Sequence, residues 1–445
     1  MSAGLSLSER LDRAPVCGFH WRLVIAVGLG MLFNGVCFAV LPMVLAPLTM
    51  EWSLTTIQTG NIAAVTTAGG FVGALVSGQL ADLWGRKSLF IVTFVTTCLG
   101  TGLSALADSY DALLCFRFIA GFGIAGQPTV AATIVTEFSP KNARGKLVSV
   151  LQIQFAVGTV LGALLAFLVI PAWGWRAVFV VGGLPILYAL HLLRALPESP
   201  RYLEARGLEN AAAQIVRAIE IEAQTGPPST PSRAPSAAPS KAPDKVGWFD
   251  IWRGGASKRT GMLLLVFFVT WYSRLGVLSW LPSLLVAAGY TVAKPLEYSM
   301  LMSLAILPAP FLSSLLLDRI GRKPLLALYN LAFIAASLGF AFMPRSPAAI
   351  LLLGSLLVFS SGGSVLAALA YAPEIFPVRL RTTGTGWAVA VSQVGSALGP
   401  ASVGFILASW PGRQDVVFVH LALLLSIGVA SMLILAEETK GRSLD

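Results

Sequence analysis

Charge is what this chain has least of: Asp, Glu, Lys and Arg make up only 12% of its 445 residues, about half the share of a soluble domain. That excludes a soluble globular enzyme and leaves a chain whose outer surface faces lipid. Cysteine and histidine are scarce as well. Cys17, Cys37, Cys98 and Cys115 show no Cys-x-x-Cys spacing, and His20, His191 and His420 stand apart. Neither a disulfide framework, a metal cluster nor a catalytic triad is therefore expected, and no cofactor. A removable signal peptide is not expected either. Glu9, Arg10, Asp12 and Arg13 precede the first apolar run, with no small-residue cleavage pattern.

What is abundant is apolar: 56% of residues, with a mean hydropathy of +0.77. A helix needs roughly 20 apolar residues to cross the hydrocarbon core. Twelve stretches meet that need, at about 21–46, 58–83, 88–107, 112–137, 147–170, 176–196, 260–288, 298–317, 324–343, 348–373, 382–410 and 416–436. They predict an all-α membrane protein of two six-helix halves, 21–196 and 260–436. A short terminus precedes them (1–20) and another follows (437–445). Residues 197–259 form the connecting segment, whose Pro/Ser/Ala-rich stretch Thr225–Ala242 has the composition of a flexible, disordered linker.

The net charge of +10 would point to nucleic acid in a soluble protein, but here its distribution carries the meaning. With both termini on one side, 25 of the 31 Lys and Arg fall on that same face. The positive-inside rule makes that face cytoplasmic. The expected setting is the bacterial inner membrane, with lipid as the surrounding partner and no nucleic acid.

The chain also repeats itself. Asp82-Leu83-Trp84-Gly85-Arg86-Lys87 returns in the second half as Asp318-Arg319-Ile320-Gly321-Arg322-Lys323. Glu137 with Arg144 returns as Glu374 with Arg381, at almost the same offset. Two charged turns in register between apolar stretches indicate two similar membrane halves. Moving a solute across a bilayer is the function that arrangement serves.

Six plus six helices with these paired turns resemble the major facilitator superfamily, built from repeated halves with the substrate site at their interface. Pro197-Glu198-Ser199-Pro200-Arg201 and Glu438-Thr439-Lys440-Gly441 resemble its sugar-porter-like branch. Sugar porters, however, carry a glutamine pair before a Gly-Ile-Asn run on helix 7. The position here reads Thr270-Trp271-Tyr272-Ser273-Arg274. Aromatic-acid/proton symporters carry Asp-Gly-x-Asp on helix 1, where this chain has Asn34-Gly35-Val36-Cys37. Phe19-His20-Trp21-Arg22, Ser279-Trp280-Leu281-Pro282 and Leu196-Pro197-Glu198-Ser199 are similar to the bacterial nicotinate transporters, relatives of those symporters. A chain that holds both halves is expected to be a monomer, and the resemblance implies a helix-4 arginine, Arg117, facing the helix-1 position now held by Cys37.

Two sets of site residues follow. On the inner face, Asp82, Arg86, Glu137, Arg144, Glu198 and Arg201, with Asp318, Arg322, Glu374 and Arg381, can form ion pairs that close and open with transport. The bland alternative is that they only fix topology by charge. Arg86 is expected to pair with Glu137 or Glu198. Within the spans, Arg117 and Arg274 are cations where a charge is costly. Either they bond to backbone or snorkel, or they hold an organic anion through bidentate hydrogen bonds. Trp271, Tyr272, Trp280, Phe33, Tyr371 and Trp387 offer faces for a flat ring. Asn34, Gln127, Gln154 and Gln393 either bond to one another or face a wet cavity. The leading expectation is a secondary active or facilitated transporter importing a small aromatic carboxylate, nicotinate foremost, with a proton as candidate co-substrate. Another aromatic acid, or a neutral sugar or polyol, is the alternative.

Overall fold

The computed structural model describes residues 7–225, 250–252, 256–287, 291, 293–342, 346–376, 380–436 and 438. Residues 226–242 of the Pro/Ser/Ala-rich linker and the last seven residues lie outside them, whereas Thr225 is helical. Every regular element among the described residues is helical. In chain order these are α1 (Leu7–Arg13), α2 (Gly18–Glu51), α3 (Thr56–Trp84), α4 (Arg86–Leu103), α5 (Tyr110–Phe138), α6 (Arg144–Gly183), α7 (Tyr188–Ala195), α8 (Pro200–Ala205) and α9 (Glu209–Thr225). Then come α10 (Ala256–Ala287), α11 (Ala293–Ser303), α12 (Pro308–Ile320), α13 (Arg322–Phe342), α14 (Pro347–Ile375), α15 (Arg381–Ser409) and α16 (Gln414–Leu435).

Eleven helical segments among the described residues are long and apolar enough to cross a membrane. One of them, Arg144–Ala195, has 52 residues. At 1.5 Å per residue it measures about 78 Å, more than twice the ~30 Å hydrocarbon core. It therefore supplies the two crossings expected at 147–170 and 176–196. The chain turns between them at Gly174, whose backbone (φ 75°, ψ 176°) is not helical, so α6 is two helices joined at a kink.

Three short helices lie where no element was expected: α1 within the N-terminal segment, and α8 and α9 within the connecting segment. Leu11 of α1 and Val216 and Ile219 of α9 are buried in one apolar cluster. Their apolar faces meet protein, and that burial holds them.

Contacts divide the chain into two compact units. The first comprises 1–38, 72–162 and 179–238, around Phe90, Phe94, Val135 and Phe138. The second comprises 39–71, 163–178 and 239–445, around Trp280, Phe333, Leu357 and Leu425 and around Phe267, Leu325 and Ala368. In the second unit α3 and α15 meet backbone to backbone. A methyl group on Gly404 would lie 2.5 Å from the Thr56 carbonyl oxygen, and one on Gly60 would lie 2.9 Å from that of Pro400.

Candidate functional site

The two Gly-Arg-Lys turns are built alike. Gly85 (φ 94°) and Gly321 (φ 96°) reverse the chain in a conformation that side chains avoid. Each starts a helix whose first N–H groups need acceptors. Glu198 Oε1 accepts from Arg86 N (2.9 Å) and Lys87 N (3.2 Å). Glu438 does the same for Arg322 N and Lys323 N, both at 3.1 Å. A carboxylate at a helix N-terminus also meets the favourable end of the helix dipole. The arginines repeat the pattern too: Arg86 Nη1 donates to Ala81 O (3.2 Å) and Arg322 Nη1 to Leu317 O (3.1 Å), each five residues back.

The carboxylates expected opposite these arginines are present. Arg86 Nε lies 3.3 Å from Glu137 and its Nη2 2.8 Å from Asp82. Arg322 Nε lies 3.1 Å from Glu374. Glu137 also accepts from Ser199 Oγ. Of the two acids named for Arg86, Glu137 takes the guanidinium and Glu198 takes the backbone. Arg201 is exposed. The side chains of Asp318 and Arg381 lie outside the described residues.

Arg144 has a different partner from those expected. Its Nη2 pairs with Asp12 of α1, and its Nε donates to the Thr136 and Ser139 carbonyls at the end of α5. Arg10 of α1 forks onto Glu220 of α9, at 2.9 and 2.6 Å. Arg22 forks onto Glu222, at 3.0 and 2.6 Å. The Arg10 guanidinium holds the Glu220 carboxyl below the usual carboxylate range. Sequence reading missed this clasp because α1 and α9 carry too many charges to register as apolar runs.

Within the spans the site residues fall into separate groups. Asn34 is wholly buried and donates to Gln127 Oε1 (2.8 Å) and Ile124 O (3.2 Å), so these two amides bond to one another. Phe33 packs on Phe94 and Tyr188. Gln154 lies directly over Gly28, where a methyl group would overlap its Oε1 at 1.5 Å. Arg117 is fully buried, giving Nε to Ser104 Oγ (2.8 Å) and Nη2 to Gly100 O (3.0 Å). Its guanidinium lies 4.7 Å over the Phe179 ring, and Cys37 is its neighbour.

In the second unit, Trp271, Tyr371 and Trp387 join one apolar cluster, where Trp271 stacks on Phe267 at 5.0 Å. Tyr272 and Trp280 belong to another. Tyr272 Oη bonds His420 Nε2 (2.9 Å), and Trp280 Nε1 donates to Pro400 O (3.0 Å). Adjacent in sequence, Trp271 and Tyr272 thus serve different faces of α10. His420 could have been found as a polar side chain deep in an apolar helix. Arg274 and Gln393 are half-buried. Arg274 stands 13 residues before the nearer end of α10 at Ala287, a rise of about 20 Å, too far from that end for simple snorkelling. Among the described residues no group of three or more His, Cys, Asp or Glu could hold a metal ion.

Paired turns, twin capping carboxylates and apolar helices throughout are features of a transporter, and the family model described as sugar (and other) transporter matches residues 25–445. The chain belongs to that family, within the major facilitator superfamily. The family's members are transporters and not enzymes. The niacin transporter NiaP of Acinetobacter baylyi is 34% identical over 441 residues, 99% of each chain. The benzoate transport protein of the same organism is 26% identical over 420 residues, 92% of this chain and 88% of the relative. Among solved structures, the D-xylose–proton symporter superposes with a TM-score of 0.73 at 19% identity, covering 96% of this chain and all of that one. At that identity the likeness establishes the fold.

Proposed function

We propose that this transporter imports a small aromatic carboxylate, nicotinate foremost, by alternating access, with Arg274 holding the carboxylate. The observation that carries the reading is a cation at mid-helix in α10, flanked by Trp271 and Tyr272, in a chain similar end to end to a niacin transporter. A guanidinium offers a carboxylate two parallel donors, and an aromatic face accepts a pyridine or benzene ring. The likeness to a benzoate transport protein supports an aromatic acid rather than a sugar. Arg117 suits a substrate anchor less well, since its Nε and Nη2 are tied to Ser104 and Gly100 and its side chain is fully buried. A proton would enter on the substrate itself or on the inner-face acids. The two halves would rock as bodies in the inner membrane with both termini cytoplasmic, while the Arg86–Glu137 and Arg322–Glu374 pairs form and break.

Uptake into proteoliposomes tests this with nicotinate, benzoate, nicotinamide and glucose. Nicotinate and benzoate are expected to enter, and glucose is not. Arg274→Gln should raise KM for nicotinate at least tenfold, from the loss of a charge-assisted pair of about 1.5–3 kcal/mol. Arg274→Lys should recover part of it. Uptake of glucose alone, or full activity in Arg274→Gln, would overturn the assignment.

A further inference from the structure

Arg117 places a full positive charge inside the first unit with nothing of opposite sign beside it. Its exposure is 0%, and it forms no ion pair with any carboxylate of the described residues. A buried, unpaired charge is costly, and a membrane interior offers it no water. The Ser104 hydroxyl, the Gly100 carbonyl and the Phe179 ring face supply dipoles and a quadrupole, which offset part of that cost but leave the charge in place.

Two donors in this neighbourhood are left over. Arg117 Nη1 has two N–H groups and no hydrogen-bond partner, and Thr101 Oγ1, also buried, has none. Thr101 follows Gly100, to which Arg117 is tied, and both Thr101 and Arg117 flank the Cys37 thiol. Cys37 donates its own S–H to the Gly182 carbonyl (3.3 Å) and is a polarisable neighbour. Two orphaned donors, one of them cationic, with soft sulfur alongside and no acidic side chain: this is the chemistry of an anion site.

We propose that Arg117 Nη1 and Thr101 Oγ1 hold a small monovalent inorganic anion, chloride being the abundant one, as a permanent counter-ion among α2, α4, α5 and α6. The surroundings set the size limit. A methyl group on Gly100 would lie 2.4 Å from the Ala120 backbone nitrogen, so α4 and α5 touch beside the guanidinium. A methyl group on Gly182 would lie 3.1 Å from Thr101 Cγ2. Helices packed this closely favour a small ion over an aromatic ring, and a doubly charged anion would replace one uncompensated charge with another. The site is therefore distinct from the one that carries substrate, and its role is structural. The anion cancels the charge that locks four helices together.

The test uses the full-length purified protein and reads its unfolding temperature against sodium chloride and sodium gluconate at equal ionic strength. Chloride should raise it saturably, bromide should substitute, and sulfate and gluconate should not. Thr101→Val keeps the charge and should weaken the apparent chloride affinity about tenfold. Arg117→Gln should abolish the dependence. Should Arg117→Gln fail to fold, Thr101→Val alone decides. Equal unfolding temperatures in chloride and gluconate would overturn the proposal and leave water as the partner of these donors. So would chloride stabilisation that neither substitution changes. Protection by nicotinate in competition with chloride, lost in Thr101→Val, would overturn it as well and place the substrate's carboxylate here. Nicotinate uptake with an intact Arg274 dependence is a separate readout, so the transport reading stands or falls on its own.

Discussion

Gly85 and Gly321 carry positive φ angles in the two repeated turns, and behind each stands a carboxylate that a side chain would strike. A methyl group would lie 2.3 Å from Glu198 Oε2 at the first and 2.7 Å from Glu438 Cδ at the second. Alanine there pays for the left-handed backbone, about 1–2 kcal/mol, and displaces the helix cap as well. Gly85→Ala and Gly321→Ala are each expected to lower the unfolding temperature in detergent, and an unchanged value would mean the turn tolerates a right-handed alternative. Glu198→Gln and Glu438→Gln should each cost about 1 kcal/mol, the worth of an anionic cap. The two losses should match, and a large inequality would show that the repeat in geometry is not one in energy. The glycines and arginines of these turns were plain in the sequence because a charged motif stands out among apolar spans. The role of Glu198 was not, since the motif shows a carboxylate and says nothing of whether it meets a guanidinium or a row of backbone N–H groups.

The twelve long apolar elements could be read from hydropathy alone, because lipid demands apolar side chains all around a spanning helix. The short ones could not. In α9 (ENAAAQIVRAIEIEAQT) only one face is apolar, and the charges on the other face hide it from any search for continuous runs. Helices α1 and α9 are joined by the Arg10–Glu220 fork, and Leu11, Val216 and Ile219 are buried in the same apolar cluster. Because Arg10 lowers the pKa of Glu220 in the folded chain, the stabilisation is complete above the ordinary glutamate value of about 4.3. It is lost as the pH falls through the depressed folded value. Limited proteolysis should therefore release the N-terminal helix at pH 3 but not at pH 7. Arg10→Ala should make release independent of pH over that range. Equal protection of the unaltered chain at both pH values would assign the clasp to apolar contact alone.

At the scale of the whole molecule, the repeat visible in the sequence is matched by two charged clusters, Arg86 with Glu137 and Glu198 and Arg322 with Glu374 and Glu438, each within its own unit. In the proposed cycle these clusters set how readily a unit changes partners. Glu137→Gln and Glu374→Gln should then alter the turnover of nicotinate exchange several-fold while leaving its Kd within about threefold, measured by countertransport and equilibrium binding on the same preparations. A matching loss of affinity would place these acids in substrate recognition instead. The substrate pocket was the least legible part. Trp271, Tyr272, Trp280, Tyr371 and Trp387 all qualified by type and span, yet three of them share one cluster and two another. Which face of a helix an aromatic takes depends on neighbours far away in the chain, and an apolar span carries no periodicity to reveal it.

The seam between α3 and α15 also bears on how the molecule is made. Gly60 and Gly404 belong to opposite halves of the sequence, yet their backbones meet. At about 5–20 residues per second of synthesis, α3 waits roughly 20–70 seconds for the helix it will touch. Throughout that interval the surface around Gly60, which has no side chain of its own, is free to pair with whichever helix lies closest. Assembly is thus governed by timing as well as by affinity: whatever shelters that face while the second half is being inserted decides the yield of correctly joined protein.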